Sequence, residues 1–119
     1  MMRFTLLMSY SEAGGAALTP EQMEAGRLEF DRYGKALHDA GVLVAAEVFT
    51  PVASGVTIRG GEIAETTDDA AEQLSGVFVI DVPDQEAAVD WAKRCPAAEW
   101  GTMVVRGAGV SFVDGGWRG

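Results

Sequence analysis

The chain is short of positive charge, cysteine and histidine, and each shortage excludes a class of function. Nine Lys and Arg residues stand against 18 Asp and Glu residues, which gives a formal net charge of −9. Because nucleic-acid binding needs a clustered basic surface and no such cluster occurs, we expect neither DNA, RNA nor an anionic membrane as a partner. Cys95 is the single cysteine, so an intramolecular disulfide is impossible. One cysteine and one histidine supply too few ligands for a structural zinc site, and no metal is expected.

Long apolar runs and glycine-rich phosphate loops are missing as well. The apolar runs are far shorter than the roughly 20 residues of a membrane span, and the first residues do not resemble a signal peptide. These features predict a cytoplasmic protein. Gly14-Gly15 and Gly60-Gly61 lack the spacing and the following Lys-Ser/Thr of a phosphate-binding loop. We therefore expect no cofactor.

What the chain does contain is a regular order of strand and helix signals. Residues 3–10 alternate in the manner of a strand with one fully buried face. After a small, glycine-rich segment at 11–17, interpreted as a loop, Thr19-Pro20-Glu21-Gln22 predicts a helix start with a capping box. Gly41 predicts the end of that helix, and residues 42–49 form the next strand-like run.

The second half of the chain adds further strands and a second helix. In chain order the predictions are a hairpin of 56–59 with 62–64 across Gly60-Gly61, two helical turns at 67–74, a strand at 77–82, a helix at 84–95, a strand at 102–106 and an edge strand at 110–114. The strand, helix and strand order occurs twice, which predicts an α+β fold, the ferredoxin-like split βαβ with an antiparallel sheet. We expect a single domain at 1–114 and a C-terminal tail at 115–119.

Several runs of the sequence carry a family resemblance. They are Ser9-Tyr10, Thr19 to Gln22, Ala40 to Leu43 with Glu47, Glu72 to Gly76, Val77 to Val82, Trp91 to Ala98 and Gly101 to Arg106. The run Trp-Ala-x-Arg-Cys-Pro-Ala, at residues 91–97, is the most specific of them. Together they resemble the YCII-related family, in its DGPF-containing branch, over roughly residues 2–106. The resemblance implies a homodimer in which two ferredoxin-like sheets form a dimeric α+β barrel, and some relatives are lyase-like or dehalogenating enzymes.

The sequence departs from the family pattern at two places. The Asp-Gly-Pro-Phe motif that should precede Glu72 is missing, and residues 64–69 read Ala-Glu-Thr-Thr-Asp-Asp instead. The resemblance also implies a catalytic His–Asp couple, whose histidine position falls near Phe30 and whose aspartate matches Asp68 or Asp69. Without the histidine, any activity of this chain needs different residues.

Glu47 and His38 are the candidates for a general base. Glu47 has apolar neighbours in its strand, where a carboxylate is either partly buried and suited to proton transfer or points to solvent. His38 is the single histidine and the one side chain that titrates near neutrality without help. It lies at the edge of the apolar stripe of the first helix, and the alternative is a boundary histidine favoured by the helix dipole.

Five further residues are candidates for binding a substrate or stabilising charge on it. Tyr10 offers a hydroxyl at the end of the first strand, and Arg59 offers a guanidinium for a carboxylate or enolate oxygen. Trp100 is interpreted as a pocket wall, and Phe30 and Asp68 are included from the family pattern. Ring packing for the aromatic residues, and surface charge or helix capping for Arg59 and Asp68, are the alternatives.

Two hypotheses on function follow. The first is a cofactor-independent enzyme that transfers a proton in elimination, isomerisation or cyclisation of a small organic molecule, in an apolar pocket between the first helix and the sheet. The second is a non-catalytic module that binds a ligand or a protein partner on the same scaffold. We favour the first hypothesis, and the missing Asp-Gly-Pro-Phe motif and the missing helical histidine are the arguments for the second. A structural dimer without a pocket is a third alternative.

Overall fold

The structure is a computed structural model that describes all 119 residues, and it consists of one four-stranded sheet, four helices and two hairpins. The elements are β1 (Met2–Tyr10), α1 (Glu12–Ala16), α2 (Pro20–Asp39), β2 (Leu43–Val48), β3 (Val56–Arg59), β4 (Glu62–Glu65), β5 (Gln73–Val82), α3 (Gln85–Arg94), α4 (Ala97–Trp100), β6 (Thr102–Gly107), β7 (Ser111–Val113) and β8 (Gly116–Arg118). No helix has both the length and the apolar character to cross a membrane.

The main sheet has the strand order β2-β5-β1-β6, and every neighbouring pair in it is antiparallel. The two long strands, β1 and β5, form its centre, and the crossovers through α2 and α3 place both long helices against the sheet. This arrangement confirms the predicted α+β fold with a ferredoxin-like split βαβ. The hairpin of β3 and β4 is inserted between β2 and β5.

Local signals at both ends of α2 explain where this helix begins and ends. The Thr19 hydroxyl accepts a hydrogen bond from the Gln22 amide, and the Gln22 side chain accepts one from the Thr19 amide, so the predicted capping box is confirmed. At the other end Gly41 has a φ of 72°. The Gly41 amide donates to the His38 carbonyl and the Val42 amide donates to the Leu37 carbonyl, which together form a Schellman motif.

The hydrophobic core lies between the sheet and the helices. Alternate residues of β1 and β5 point into it and are almost fully buried: Phe4, Leu6, Met8, Phe78, Ile80 and Val82. Against them pack Tyr33 and Leu37 of α2 and the small side chains Ala88 and Ala92 of α3. The Tyr33 hydroxyl donates a hydrogen bond of 2.7 Å to the carbonyl of Trp91, which fixes α2 to α3.

The opposite face of the sheet carries no helix. Leu7 lies at its centre, opposite Val77 of β5 and Val104 of β6. Val79 continues this apolar row toward β2, where it lies opposite Ala45. We refer to this side of the sheet, with Leu7, Val77, Val79 and Val104 at its middle, as the open face.

Two internal segments differ from the prediction. Residues 11–17 contain the short helix α1, because the Ser11 hydroxyl accepts from the Gly14 amide and caps it. Residues 67–74 are not helical, because Gln73 and Leu74 pair with Tyr10 and Ser9 as the start of β5. Ladder hydrogen bonds to a neighbouring strand thus override a weak local helical preference.

The C-terminus also differs from the prediction. The predicted edge strand at 110–114 does not join the main sheet, and the predicted tail contains a strand. β7 instead pairs with β8 across Asp114 and Gly115, which have φ values of 52° and 79°. Two residues of positive φ are typical of the tight turn that an Asp-Gly pair forms between antiparallel strands. The same turn chemistry confirms the predicted β3–β4 hairpin, where Gly60 and Gly61 have positive φ.

Candidate functional site

Three of the predicted site residues meet at one end of the sheet. Tyr10 is the last residue of β1, Trp100 is the last residue of α4, and Phe30 lies in the middle of α2. The ring centroids of Tyr10 and Trp100 are 5.4 Å apart, and those of Phe30 and Trp100 are 6.2 Å apart in an edge-on arrangement. Tyr10 and Phe30 are half-buried, whereas Trp100 remains 53% exposed. We refer to these three side chains as the aromatic cluster.

A glycine allows Trp100 to approach Tyr10. A Cβ built on Gly101 would overlap the carbonyl oxygen of Ser9 and would stand 3.2 Å from the Cβ of Tyr10. Because one atom belongs to the backbone of β1 and the other is attached to it, neither can move unless the strand itself moves. The absence of a side chain at residue 101 therefore lets α4 lie directly on the end of β1 and brings its last residue, Trp100, to the cluster.

A buried glutamine connects the loops beside the aromatic cluster. Gln73 lies opposite Tyr10 in the register and is 8% exposed. Its side-chain oxygen accepts from the Glu12 amide at 2.9 Å, and its side-chain nitrogen donates to the Ala70 carbonyl at 2.6 Å. The Glu12 carboxylate accepts in turn from the Val52 amide at 2.8 Å. These bonds join α1, the segment before β5 and the segment after β2 at the end of the sheet that carries the cluster.

Glu12 and Gln73 were not among the predicted site residues. Glu12 is half-buried and Gln73 is buried, and Gln73 lies opposite Tyr10 of the aromatic cluster. A signal for Gln73 was present, since it stands at the start of the family-like run Glu72-Gln73-Leu74. No sequence signal places Glu12 near it, because the contact joins residues 61 positions apart.

The predicted general bases lie away from the aromatic cluster. His38 is exposed in the last turn of α2, and the eight residues that separate it from Phe30 correspond to about 12 Å along a helix. Glu47 is exposed on β2, opposite Val77, and therefore lies on the open face. Tyr10 lies on the other, helix-covered side of the sheet with the core. The structure thus brings neither base together with the cluster.

Arg59 and Asp68 are also separate from the cluster. Arg59 is exposed at the turn of the β3–β4 hairpin, opposite Glu62. The Asp68 carboxylate accepts a hydrogen bond from the Ala70 amide at 3.0 Å, which is the local turn that a short acidic side chain commonly forms. Ala70 connects this turn to Gln73, so Asp68 supports the loop beside the site.

Two clefts lie on the helical side of the molecule. One has a volume of about 410 Å³ and separates α2 from the end of α3 and from α4. The other, of about 360 Å³, is apolar and lies between α3, α4 and β6, with Val89, Met103 and Val105 among its walls. The space between the middle of α2 and the sheet, where the sequence predicted a pocket, is occupied by the core side chains Tyr33 and Leu37.

Burial changes the acidity of two groups in the helical layer. Burial raises the pKa of the Tyr33 phenol far above its usual range, and at alkaline pH the negative charge of a Cys95 thiolate acts in the same direction to a smaller extent. Burial also raises the pKa of the Cys95 thiol itself, so this cysteine stays a neutral apolar side chain at physiological pH. No group of three or more His, Cys, Asp and Glu side chains is arranged to hold a metal ion.

The comparisons with known proteins agree with the architecture described above. A model of the YCII-related domain matches residues 2–107, which includes β1 to β6 and all four helices and leaves only the β7–β8 hairpin outside. A search of curated proteins finds no match. Since the family model covers nearly the whole chain, this protein belongs to the YCII-related domain family.

Proposed function

We propose that this protein binds a small organic molecule with a flat, unsaturated portion at the aromatic cluster. The observation that carries the proposal is the meeting of Tyr10, Phe30 and Trp100, which come from three different elements. Aromatic faces and edges bind flat apolar groups well, and a few polar groups beside them orient a ligand. The Tyr10 hydroxyl belongs to the cluster itself, and Gln73, which lies opposite Tyr10 in the register, connects the cluster to Glu12.

Ligand-observed NMR with the full chain tests the proposed site. Catechol, benzyl alcohol and cinnamyl alcohol serve as uncharged probes, and saturation transfer from the protein reports their binding. Trp100→Ala should abolish the transfer, because it removes the ring that contacts both Tyr10 and Phe30. Trp117→Ala is the matched control, since Trp117 is similarly exposed and also packs edge-on against an aromatic ring, Phe112. Equal transfer in both variants, or none in the unaltered protein, would refute the proposal.

Proton transfer on the bound molecule is the second candidate function, in the form of a cofactor-independent lyase, isomerase or cyclase. The observation that favours it is the half-buried Glu12, whose carboxylate accepts one hydrogen bond, from Val52, and retains lone pairs for a substrate proton. Tyr10 would stabilise negative charge that develops on a substrate oxygen. Glu47 and His38 remain candidate bases for a site that a second subunit helps to form.

Deuterium incorporation separates these bases. The protein is incubated in D₂O with small unsaturated lactones and β-keto acids, and exchange at their acidic C–H positions is followed by NMR. Loss of exchange in Glu12→Gln, with exchange retained in Glu47→Gln and His38→Ala, supports catalysis at the aromatic cluster. Loss in Glu47→Gln instead assigns the base to the open face. Exchange that persists in all three variants rejects the assignment of the base, and no exchange in the unaltered protein leaves ligand binding as the function.

We also propose that the protein is a homodimer whose subunits meet through their open faces. Leu7, Val77 and Val104 form an apolar cross-strand row that no helix of the chain covers. The radius of gyration of 15.9 Å exceeds the value of about 13.5 Å expected for a compact chain of this length, because the molecule is flattened, with extents of 41 × 39 × 21 Å, and exposes broad surfaces. Burial of the row against a second copy would remove this apolar area from water.

Native mass spectrometry and light scattering test the dimer. Leu7→Lys introduces a charge at the centre of the open face and should convert a dimer to a monomer, because an unpaired ammonium is costly to bury. Leu28→Lys is the control, since Leu28 is an exposed leucine of α2 on the other side of the molecule. An unaltered protein that is monomeric at micromolar concentration, or a Leu7→Lys variant that remains dimeric, would contradict the proposal.

A further inference from the structure

The cleft between α2 and the α3–α4 segment collects basic residues in an acidic protein. Its walls are Glu29 and Arg32 from α2, the segment 93–96, and Glu99 from α4. Three of the nine Lys and Arg residues of the chain, Arg32, Lys93 and Arg94, therefore line one cleft of about 410 Å³. Such a concentration is unexpected by chance in a chain with a formal charge of −9.

These three cations are free of ion pairs within the chain. The salt bridges of the protein use other basic residues, namely Arg3, Arg27 and Lys35. Glu29 and Glu99 line the same cleft as the three cations, yet neither carboxylate is paired with one of them. All three side chains are exposed, so water satisfies their N–H groups, and the oxygens of an anion can take the place of that water in charge-assisted hydrogen bonds.

The Arg94 side chain and the helix that carries it are also held in position. The Arg94 guanidinium lies over the ring of Trp91, 4.2 Å from its centroid, and this contact orients the group while its N–H edges stay free. The Trp91 carbonyl accepts the hydrogen bond of Tyr33, so α3 is fixed to α2 beneath the cleft. The floor contains Cys95, which is 1% exposed and contributes no negative charge as a thiol.

We propose that this cleft is a binding site for a small anion, a carboxylate or a phosphate group carried on a small molecule. Arg94 and Lys93 on one wall and Arg32 on the other bind the anionic oxygens. Glu29 and Glu99 limit the size and charge of the ligand, because they repel a polyanion and accept hydrogen bonds from hydroxyl or amino groups of a small one. The site stands independently of the aromatic cluster and requires no binding there.

Titration of isotope-labelled full-length protein with inorganic phosphate and, separately, with succinate tests the inference. Two-dimensional NMR is recorded at constant ionic strength, so that general screening does not imitate binding. Saturable shifts of the Trp91 indole and of amides at 93–96, with a dissociation constant below about 10 mM for either anion, are expected. Saturation by phosphate alone identifies a phosphate ligand, and saturation by succinate alone identifies a carboxylate ligand.

Charge-removing variants show whether the cleft itself binds the anion. Arg94→Gln should weaken binding about tenfold, because a hydrogen bond to a charged group is lost, and Arg32→Gln on the opposite wall should do the same. Arg118→Gln, in β8 and outside the cleft, removes the same charge and should leave the affinity unchanged. Absence of saturable shifts with both anions, or equal weakening in all three variants, would overturn the proposal.

Discussion

Replacement of Gly101 by alanine is the most direct test of how the aromatic cluster is built. A Cβ at this residue would overlap the Ser9 carbonyl oxygen and lie 3.1 Å from the Ala97 carbonyl oxygen and 3.2 Å from the Tyr10 Cβ. The backbone of Gly101 has a φ of −135°, so the penalty comes from these contacts rather than from a left-handed conformation. Because the contacting atoms are backbone or attached to it, α4 or β1 must move.

The expected destabilisation by Gly101→Ala is about 2–3 kcal/mol, toward the upper end of the range for overpacking of a dense region. Since the free energy of unfolding falls by about 2 kcal/mol per molar of urea, the urea concentration at the unfolding midpoint should fall by about 1 M or somewhat more. Tryptophan fluorescence follows the transition, at one fixed protein concentration because the proposed dimerisation would also contribute to stability. Probe binding at the aromatic cluster should be lost as well, since displacement of α4 separates Trp100 from Tyr10.

Gly109→Ala is the matched control for this experiment. Gly109 has no atom within 4 Å of its added Cβ and does not have positive φ, so alanine fits there without a clash. Its midpoint should stay the same or rise slightly, because alanine restricts the unfolded chain more than glycine does. If Gly101→Ala unfolds at the same urea concentration as Gly109→Ala, the close approach of α4 to β1 described above is wrong.

Three further predictions concern the helices and their packing. Tyr33→Phe should cost about 1–2 kcal/mol in urea unfolding, because the Trp91 carbonyl loses its hydrogen bond, and an unchanged midpoint would mean that water replaces the hydroxyl without cost. Thr19→Ala should lower stability by about 1 kcal/mol by removing the cap of α2, whereas Thr19→Ser, which keeps the acceptor for the Gln22 amide, should retain most of it. Stability should fall as pH rises above about 8.5 and again above about 10, because Cys95 and Tyr33 keep their protons in the folded protein while the unfolded chain loses them. A Cys95→Ala variant should lack the decrease above about pH 8.5. If that decrease persists in the variant, a group other than Cys95 causes it.

The sequence predicts best those elements whose signals are local. The Thr19 to Gln22 segment contains every atom of the capping box, so the start of α2 needs no information from the rest of the chain. The start of β5 does need such information, because Gln73 and Leu74 become strand residues only by pairing with β1. The Asp114-Gly115 turn is also a local signal, because an Asp-Gly pair favours two successive residues of positive φ.

The same distinction between local signals and long-range contacts applies to the candidate site. The sequence predicts Tyr10 and Trp100 as site residues from their elements and Phe30 from the family pattern, but their meeting depends on where α4 lies on β1, which the glycine at residue 101 permits. The side of the sheet on which Glu47 lies depends on the pairing of β2 with β5, which contains a register shift after Leu43. A shift of one residue exchanges the two faces of a strand, so a polar side chain there cannot be assigned from alternation alone.

The open face bears both on the proposed dimer and on the choice between Glu47 and Glu12 as the catalytic base. Glu47 is solvated in a single subunit, and it shares its face with the apolar row around Leu7. If two open faces meet, this carboxylate leaves bulk water and becomes enclosed at the junction of two sheets, whereas Glu12 stays beside the aromatic cluster of its own subunit. The two candidate bases therefore respond differently to dissociation: activity that depends on Glu47 should disappear in the Leu7→Lys variant, and activity that depends on Glu12 should survive in the monomer. Activity that survives in the monomeric variant thus indicates a site within one subunit, and activity that is lost with the dimer indicates a site between two.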